Sequence, residues 1–461
     1  MGLPRLTRPI FDRLAHNDGV GDVLIELGEQ RGRLPSDVGV PRDRPHAFRA
    51  LLAALSAILL VGLSGAVARS APVGPIVVPA RLGDSMYVEQ SRLHIVSAGP
   101  EPATVRSKIV STYALPAGEL LSRTTVTVPG VIFQVTSVGG TVLVSYLVDT
   151  VHAEATGGDE ATVALAAGTD RVRWRAPARL LSVSPADGLA LLRENTPWYG
   201  DQHWYGIDLA TGRIRWSLPH PLPGFTTAAD YTDGFPRRLI TATAAGHLEV
   251  RDTTNGTLLS QGDLIARPGS SRRGITVWPS GDLVLVGGLG GLIAYTLAGL
   301  SPRWHSTVEL ADHWVQDCAD AICVFGYHGG VQALDPGTGQ VRWAADRWTM
   351  AAEAGSYLLV SGDEGQVGRY PLAVVEPRTG TVHGDFGAWR VAGPTRADGT
   401  VVGLRQRVGD DVVFYALLDP ATLAVRVLGA ATTVSGDCRA TTEVLVCRRI
   451  DATVAIWPLT G

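Results

Sequence analysis

One ten-residue pattern occurs twice almost unchanged, and it constrains the fold more than any other feature of the chain. Ile207-Asp208-Leu209-Ala210-Thr211-Gly212-Arg213-Ile214-Arg215-Trp216 and Leu334-Asp335-Pro336-Gly337-Thr338-Gly339-Gln340-Val341-Arg342-Trp343 share the form D-x-x-T-G-x-[IV]-R-W. Weaker copies appear when the Gly is taken as an anchor: Asp170 ahead of Trp174, Gly256 after Asp252, Leu300 ahead of Trp304, Gly380 after Glu376, Leu423 after Asp419, and the closing Gly461. The anchors 170, 212, 256, 300, 339, 380, 423 and 461 are spaced by 42, 44, 44, 39, 41, 43 and 38 residues. A period near forty built from several short strands is the mark of a β-propeller, whereas a helical solenoid would show a 3.6-residue period.

Each unit makes physical sense as part of a blade. Apolar runs precede the turn, as in Leu283-Val284-Leu285-Val286, Tyr357-Leu358-Leu359-Val360 and Val412-Val413-Phe414-Tyr415-Ala416-Leu417, and these have strand composition. In the turn, the Asp side chain can accept bonds from amides two residues on and the Gly tolerates positive φ. Asp208, Gly212, Asp335 and Gly339 are therefore read as turn formers. Trp174, Trp216, Trp304 and Trp343 all fall four residues after an anchor. Four equivalents in one phase fit packing between blades, with the indole N–H reaching a backbone carbonyl, better than ligand stacking.

The pattern [A/L]-x-D-x-x-T-G-x-x-x-W resembles the repeat of pyrroloquinoline-quinone-like β-propeller proteins, well over residues 160–461 and weakly over 80–160. The resemblance implies a structural motif that ties blades together through the Trp, in rings of seven or eight blades. The expected fold is all-β: a propeller of four-stranded blades, eight in number with seven as the alternative, preceded by one transmembrane helix. The segment from Pro75 to Ser107 has strand character and is a candidate to close the ring against Val454-Ala455-Ile456-Trp457.

The helix is expected at residues 50–68, ALLAALSAILLVGLSGAVA, which carry no charge over 19 positions. A helix of that length spans about 28 Å, close to the hydrocarbon thickness of a bilayer. Arg31, Arg33, Arg42, Arg44 and Arg49 precede it, and only Arg69 and Arg81 come closely after it. The positive-inside rule then leaves residues 1–49 as a short, largely disordered cytoplasmic segment and exports the remainder of the chain. Residues 69–80 read as a linker and 81–461 as an extracytoplasmic propeller. A cleaved signal peptide, with Ala66-Val67-Ala68 as its site, is the competing reading.

Cys318, Cys323, Cys438 and Cys447 all lie late in the chain. An even set in an exported domain reads as disulfides, and the spacings C-x4-C and C-x8-C without paired His fit zinc poorly. Each pair sits in the same phase ahead of its anchor, so each is expected to join consecutive strands of one hairpin. Net charge is −4, which disfavours a nucleic-acid partner. Only Lys108 among 40 basic residues is a lysine, a bias of genome composition rather than of function.

No catalytic, cofactor-binding or metal-ligating residues stand out. Quinone-dependent enzymes of the resembled type carry calcium, a catalytic Asp and often a vicinal disulfide, and this chain has no Cys-Cys dipeptide. The acidic pairs Asp159-Glu160, Asp363-Glu364 and Asp410-Asp411 each follow a Gly and read as solvated turns. Neither G-x-S-x-G nor H-E-x-x-H occurs.

The densest aromatic-polar stretch holds Trp198, Tyr199, Asp201, His203 and Trp204. It reads either as a long hairpin with edge aromatics or as a loop stacking a saccharide or peptide. The functional expectation is a non-catalytic interaction or ligand-sensing scaffold in the cell envelope, bound to the membrane by one helix and to an envelope protein, saccharide or peptide. The alternative is an envelope enzyme with its site at the ring's central mouth. A comparable resemblance, to the propeller lipoprotein of outer-membrane assembly machinery, is not carried over as a role because no Cys lies near the apolar segment.

Overall fold

A computed structural model describes residues 74–461 apart from 100–106, 149–159, 195–202, 222–223, 265–275, 289–290, 311, 328, 363–370, 408 and 460–461. The expected cytoplasmic segment and the apolar stretch at 50–68 lie outside the described residues, and among the described residues no helix is long and apolar enough to cross a membrane.

Within the described residues the strands form nine four-stranded antiparallel sheets, each a meander of consecutive strands except the last. Blades 1 to 8 span residues 85–127, 130–176, 179–219, 224–263, 276–306, 313–345, 350–385 and 390–431. Blade 9 takes three strands from residues 434–458 and its fourth, Ile76–Val78, from the front of the ring. That strand pairs antiparallel with Val454–Pro458, in the register Ile76↔Ile456, Val77↔Ala455 and Val78↔Val454. The ring thus begins inside the stretch read as linker, and it closes on the residues anticipated for closure.

The strands follow from simple patterning. Second strands are sandwiched between neighbouring blades and are largely buried, as Leu189–Arg193 shows with four fully buried apolar positions before its Arg. Fourth strands face water on one side, so Ile214-Arg215-Trp216 reads exposed, exposed, buried. First strands of adjacent blades approach one another at the centre, Gly224–Thr232 meeting Thr276–Ser280 and the latter meeting His313–Cys318. Side-chain bonds tie the inner turns together from blade to blade: Ser280 to Asp317, Glu353 to the Ala319 amide, Thr395 to the Glu353 carbonyl, and Gln90 to Thr442.

Nine blades correct the expectation of eight or seven, because one blade carries no anchor of the pattern. Blade 1 closes its third turn with Ala114-Leu115-Pro116-Ala117-Gly118-Glu119, which has none of the Asp, Thr or Trp of the pattern. Its backbone nonetheless makes the same bonds: Gly118 N to Ala114 O at 2.7 Å and Ala114 N to Glu119 O at 2.8 Å, matching Gly212 N to Asp208 O and Asp208 N to Arg213 O, both at 2.8 Å. Blade 9 has no such turn at all, because its outer strand comes from residues 76–78. Gly461, taken as the anchor of this last unit, lies outside the described residues, and Trp457 belongs to a third strand in the core. In blade 2 the left-handed position of the turn is Gly168, two residues before Asp170.

Candidate functional site

The repeated pattern builds the seams between blades. Asp208 accepts from the Thr211 amide at 2.9 Å and hydroxyl at 2.8 Å on one oxygen, and from Arg215 at 2.7 Å on the other. Asp335 repeats this with Thr338 and Arg342. These bonds, the Arg215 bond foremost and those from Thr211 next, hold the Asp208 carboxyl down at about 2. The Asp335 carboxyl is lowered in the same way, chiefly by Arg342.

Each Trp then reaches into the next blade. Trp174 Nε1 donates to Leu209 O at 2.9 Å, Trp216 to Thr253 O at 2.9 Å, Trp304 to Pro336 O at 2.7 Å and Trp343 to Pro377 O at 2.7 Å. The acceptor is always the residue after the first position of the next turn. The side chain lies on that turn's anchor glycine: a Cβ on Gly212, Gly256, Gly339 or Gly380 would meet the Trp of the preceding blade at 2.2–2.8 Å. Positive φ, between 70° and 74° at all four, makes glycine doubly apt there.

Two seams reverse the arrangement. Where the Trp position holds Ser260 or Gly384, the next anchor is Leu300 or Leu423, each held at positive φ. A Cβ on Gly384 would stand 2.3 Å from Leu423 Cδ1, and Leu300 packs with Val250 in one apolar cluster. The residue paired across the strand changes too. It is Ala164, Gly206, Ala294 and Ala333 opposite the four Trp, but Val250 and Val374 opposite Ser260 and Gly384. At these six seams bulk moves among three positions. At the closing seam Ile76 fills the space over Gly118.

Two disulfides, Cys318–Cys323 and Cys438–Cys447, join the first and second strands of blades 6 and 9, with Cα atoms 5.8 and 4.1 Å apart. They are buried fasteners. Among the described residues no group of three or more His, Cys, Asp or Glu is arranged to hold a metal.

Of the aromatic stretch, His203 and Trp204 fall within the described residues. Trp198, Tyr199 and Asp201 lie outside the described residues. Trp204 is 4% exposed and packs with Leu189, Leu191, Trp216, Leu218, Phe235 and Leu239 between blades 3 and 4. It is a core residue, because the alternation of His203–Asp208 turns it inward. His203 instead stacks on Tyr205 and contacts Glu194 at 3.2 Å, and Tyr205 donates to the same carboxylate.

A charged row that sequence reasoning missed crosses the same end of blade 3. Glu160, read as part of a solvated turn, is 7% exposed and opens the strand Glu160–Ala166 of blade 2. One of its oxygens lies 3.5 Å from Arg179 Nη1, and the other has no partner among the described residues. Arg179 is the register partner of Arg193 across the first two strands of blade 3. Burial lowers the pKa of Arg193, Glu160 opposes that shift and Arg179 adds to it. His220, bonded to Thr226 at 2.9 Å, is lowered by burial and then by Arg193. Nothing in the run Glu160-Ala161-Thr162-Val163 announces this, since the partners come from another blade.

The family profile described as "Outer membrane protein assembly factor BamB" matches residues 106–345, just over half of the chain. No curated protein matches. Similar solved structures include BamB from Moraxella catarrhalis, at 15% identity over 85% of this chain and 98% of that one with a TM-score of 0.38. The computationally designed Ika8 protein aligns at 14% identity over 72% and 99% with a TM-score of 0.41, and the C-terminal WD40 domain of Sif2 at 8% over 85% and 99% with 0.40.

Proposed function

The chain belongs to the propeller family described as outer membrane protein assembly factor BamB, and from that premise we propose that it is a non-catalytic interaction scaffold of the cell envelope. The apolar segment 50–68 anchors it in the membrane by one helix, with the amino terminus in the cytoplasm and the ring outside.

The family match carries this reading, since an assembly factor acts by holding other proteins. One feature supports it: both cysteine pairs are joined, as suits a domain in an oxidising compartment.

Maleimide labelling of the full chain in intact bacterial cells, before and after reduction, tests the topology. Labelling that requires a reductant, on a chain retained in the membrane fraction, supports an anchored external ring; labelling without reduction overturns it. A photo-crosslinking residue at exposed Tyr327 in the same cells tests the scaffold. A discrete adduct with an envelope protein is expected, and its absence counts against the reading.

A further inference from the structure

We propose that Arg179 and Arg193, backed by Glu160, form a docking site for the carboxylate side chains of an acidic partner segment, a reading that rests on the scaffold function above. Arginines with a structural task in this chain have a carboxylate of their own: Arg215 has Asp208, Arg342 has Asp335 and Arg237 has Asp187. Arg193 has none among the described residues. Its guanidinium makes no hydrogen bond to a described residue and rests against the Trp204 ring at 5.9 Å.

Arg179 lies over the Phe133 ring at 5.1 Å, and its buried Nε has no partner among the described residues. A ring contact uses no N–H group, so donors on both guanidinium groups remain for a partner.

The charges at this end do not balance. Arg179 and Arg193 stand directly opposite each other, an arrangement that repels, and among the described residues Glu160 is the one carboxylate near both. Glu194 is engaged by His203 and Tyr205. Among the described residues one positive charge and several donors are left over, half-buried, with Arg179 still 41% exposed at the end of its strand. A planar fork of donors matches a carboxylate in two bonds, and reduced solvation strengthens them. Arg405 supplies the contrast: it too lies on aromatic rings, Trp389 and Phe414, but it is exposed and has no second arginine in register.

The test uses the full chain in detergent micelles and a fluorescent acetyl-Gly-Glu-Gly-Glu-Gly-amide, with its Gln counterpart, acetate and inorganic phosphate as comparisons. The Glu peptide is expected to bind about tenfold more tightly than the Gln peptide, and R193Q or R179Q to weaken it about tenfold. R193K restores part of the loss, R405Q changes nothing, and an unchanged melting temperature shows that R193Q still folds. Equal binding of the two peptides, or R193Q binding like the unaltered chain, overturns the proposal. So does phosphate that displaces the Glu peptide at lower concentration than acetate does, because the site would then be a phosphate site. If the Tyr327 crosslink survives R193Q while peptide binding shows no acidic preference, the scaffold stands and this site falls. Arginine-dependent binding of the Glu peptide without any crosslink in the unaltered chain upholds the site and removes the scaffold.

Discussion

Trp343 lies so close over Gly380 that a Cβ added there would stand 2.6 Å from the indole Cγ, while the indole N–H bonds the Pro377 carbonyl three residues before that glycine. One side chain thereby fixes both the spacing and the angle of two blades.

G380A should cost about 3 kcal/mol, from the left-handed backbone and the clash together. Gly281 is the control: its φ is +52° and nothing lies within 4 Å of an added Cβ. G281A should cost only about 1 kcal/mol. Urea midpoints compare the two, and equal losses would remove the clash from the account.

The reversed seams predict a rescue. S260W alone overfills the space beside Leu300 and should destabilise by about 2 kcal/mol. Combining it with V250A and L300G recreates the arrangement of Ala294, Trp304 and Gly339, and should recover most of that loss. A coupling of about 1–3 kcal/mol is expected in the mutant cycle; simple additivity would mean the three positions do not share one volume.

Acid should weaken the turn bond of Asp208. Its folded pKa, about 2, lies below the ordinary carboxylate value, so its contribution is present above the unfolded pKa and lost as pH falls through about 2. D208N should be less stable than the unaltered chain at pH 7 by about 1 kcal/mol or less, as for a partly exposed pair. The two chains should converge as pH drops from about 4 toward 2. A difference that persists at the acid end of that range would place the effect of Asp208 elsewhere.

Trp204 and His203 should behave as opposites although they are neighbours. W204A removes a core side chain and should cost about 3–5 kcal/mol. H203A loses a partly exposed contact to Glu194 and should cost about 1 kcal/mol. Thermal melts of the two variants settle it, and a mild W204A would return the residue to the surface.

Much of this fold was legible, because turn chemistry and apolar runs are local. Asp208 with Gly212 and Asp335 with Gly339 identify a repeated turn, and Trp216 and Trp343 identify its packing partner. What escaped was non-local. Ala114 to Glu119 makes the turn with backbone bonds alone, so blade 1 left no side-chain signature. Gly384 and Leu423 look like a decayed repeat until the seam shows that they exchange volume. Arg179, Arg193 and Glu160 come from separate strands of two blades, and only the ring brings them together.

Reduction of Cys318–Cys323 and Cys438–Cys447 should lower stability by about 2 kcal/mol each, since both loops are short, and leave the strands paired. Collapse of the whole ring on reduction would show that they do more than fasten hairpins.

The strand Ile76–Val78 gives the molecule a fixed order of completion. It is among the first parts of the ring to be synthesised, yet its hydrogen-bonding partner, Val454–Pro458, is among the last. Until that partner emerges, eight finished blades must wait beside an early strand with nothing to pair with. For that interval the early strand has a bare backbone edge, the kind of surface that invites pairing with another chain, and the end blades leave apolar faces uncovered. A nascent ring of this design has a window of vulnerability as long as its own synthesis, and escorting the early strand would protect it more than escorting any later one.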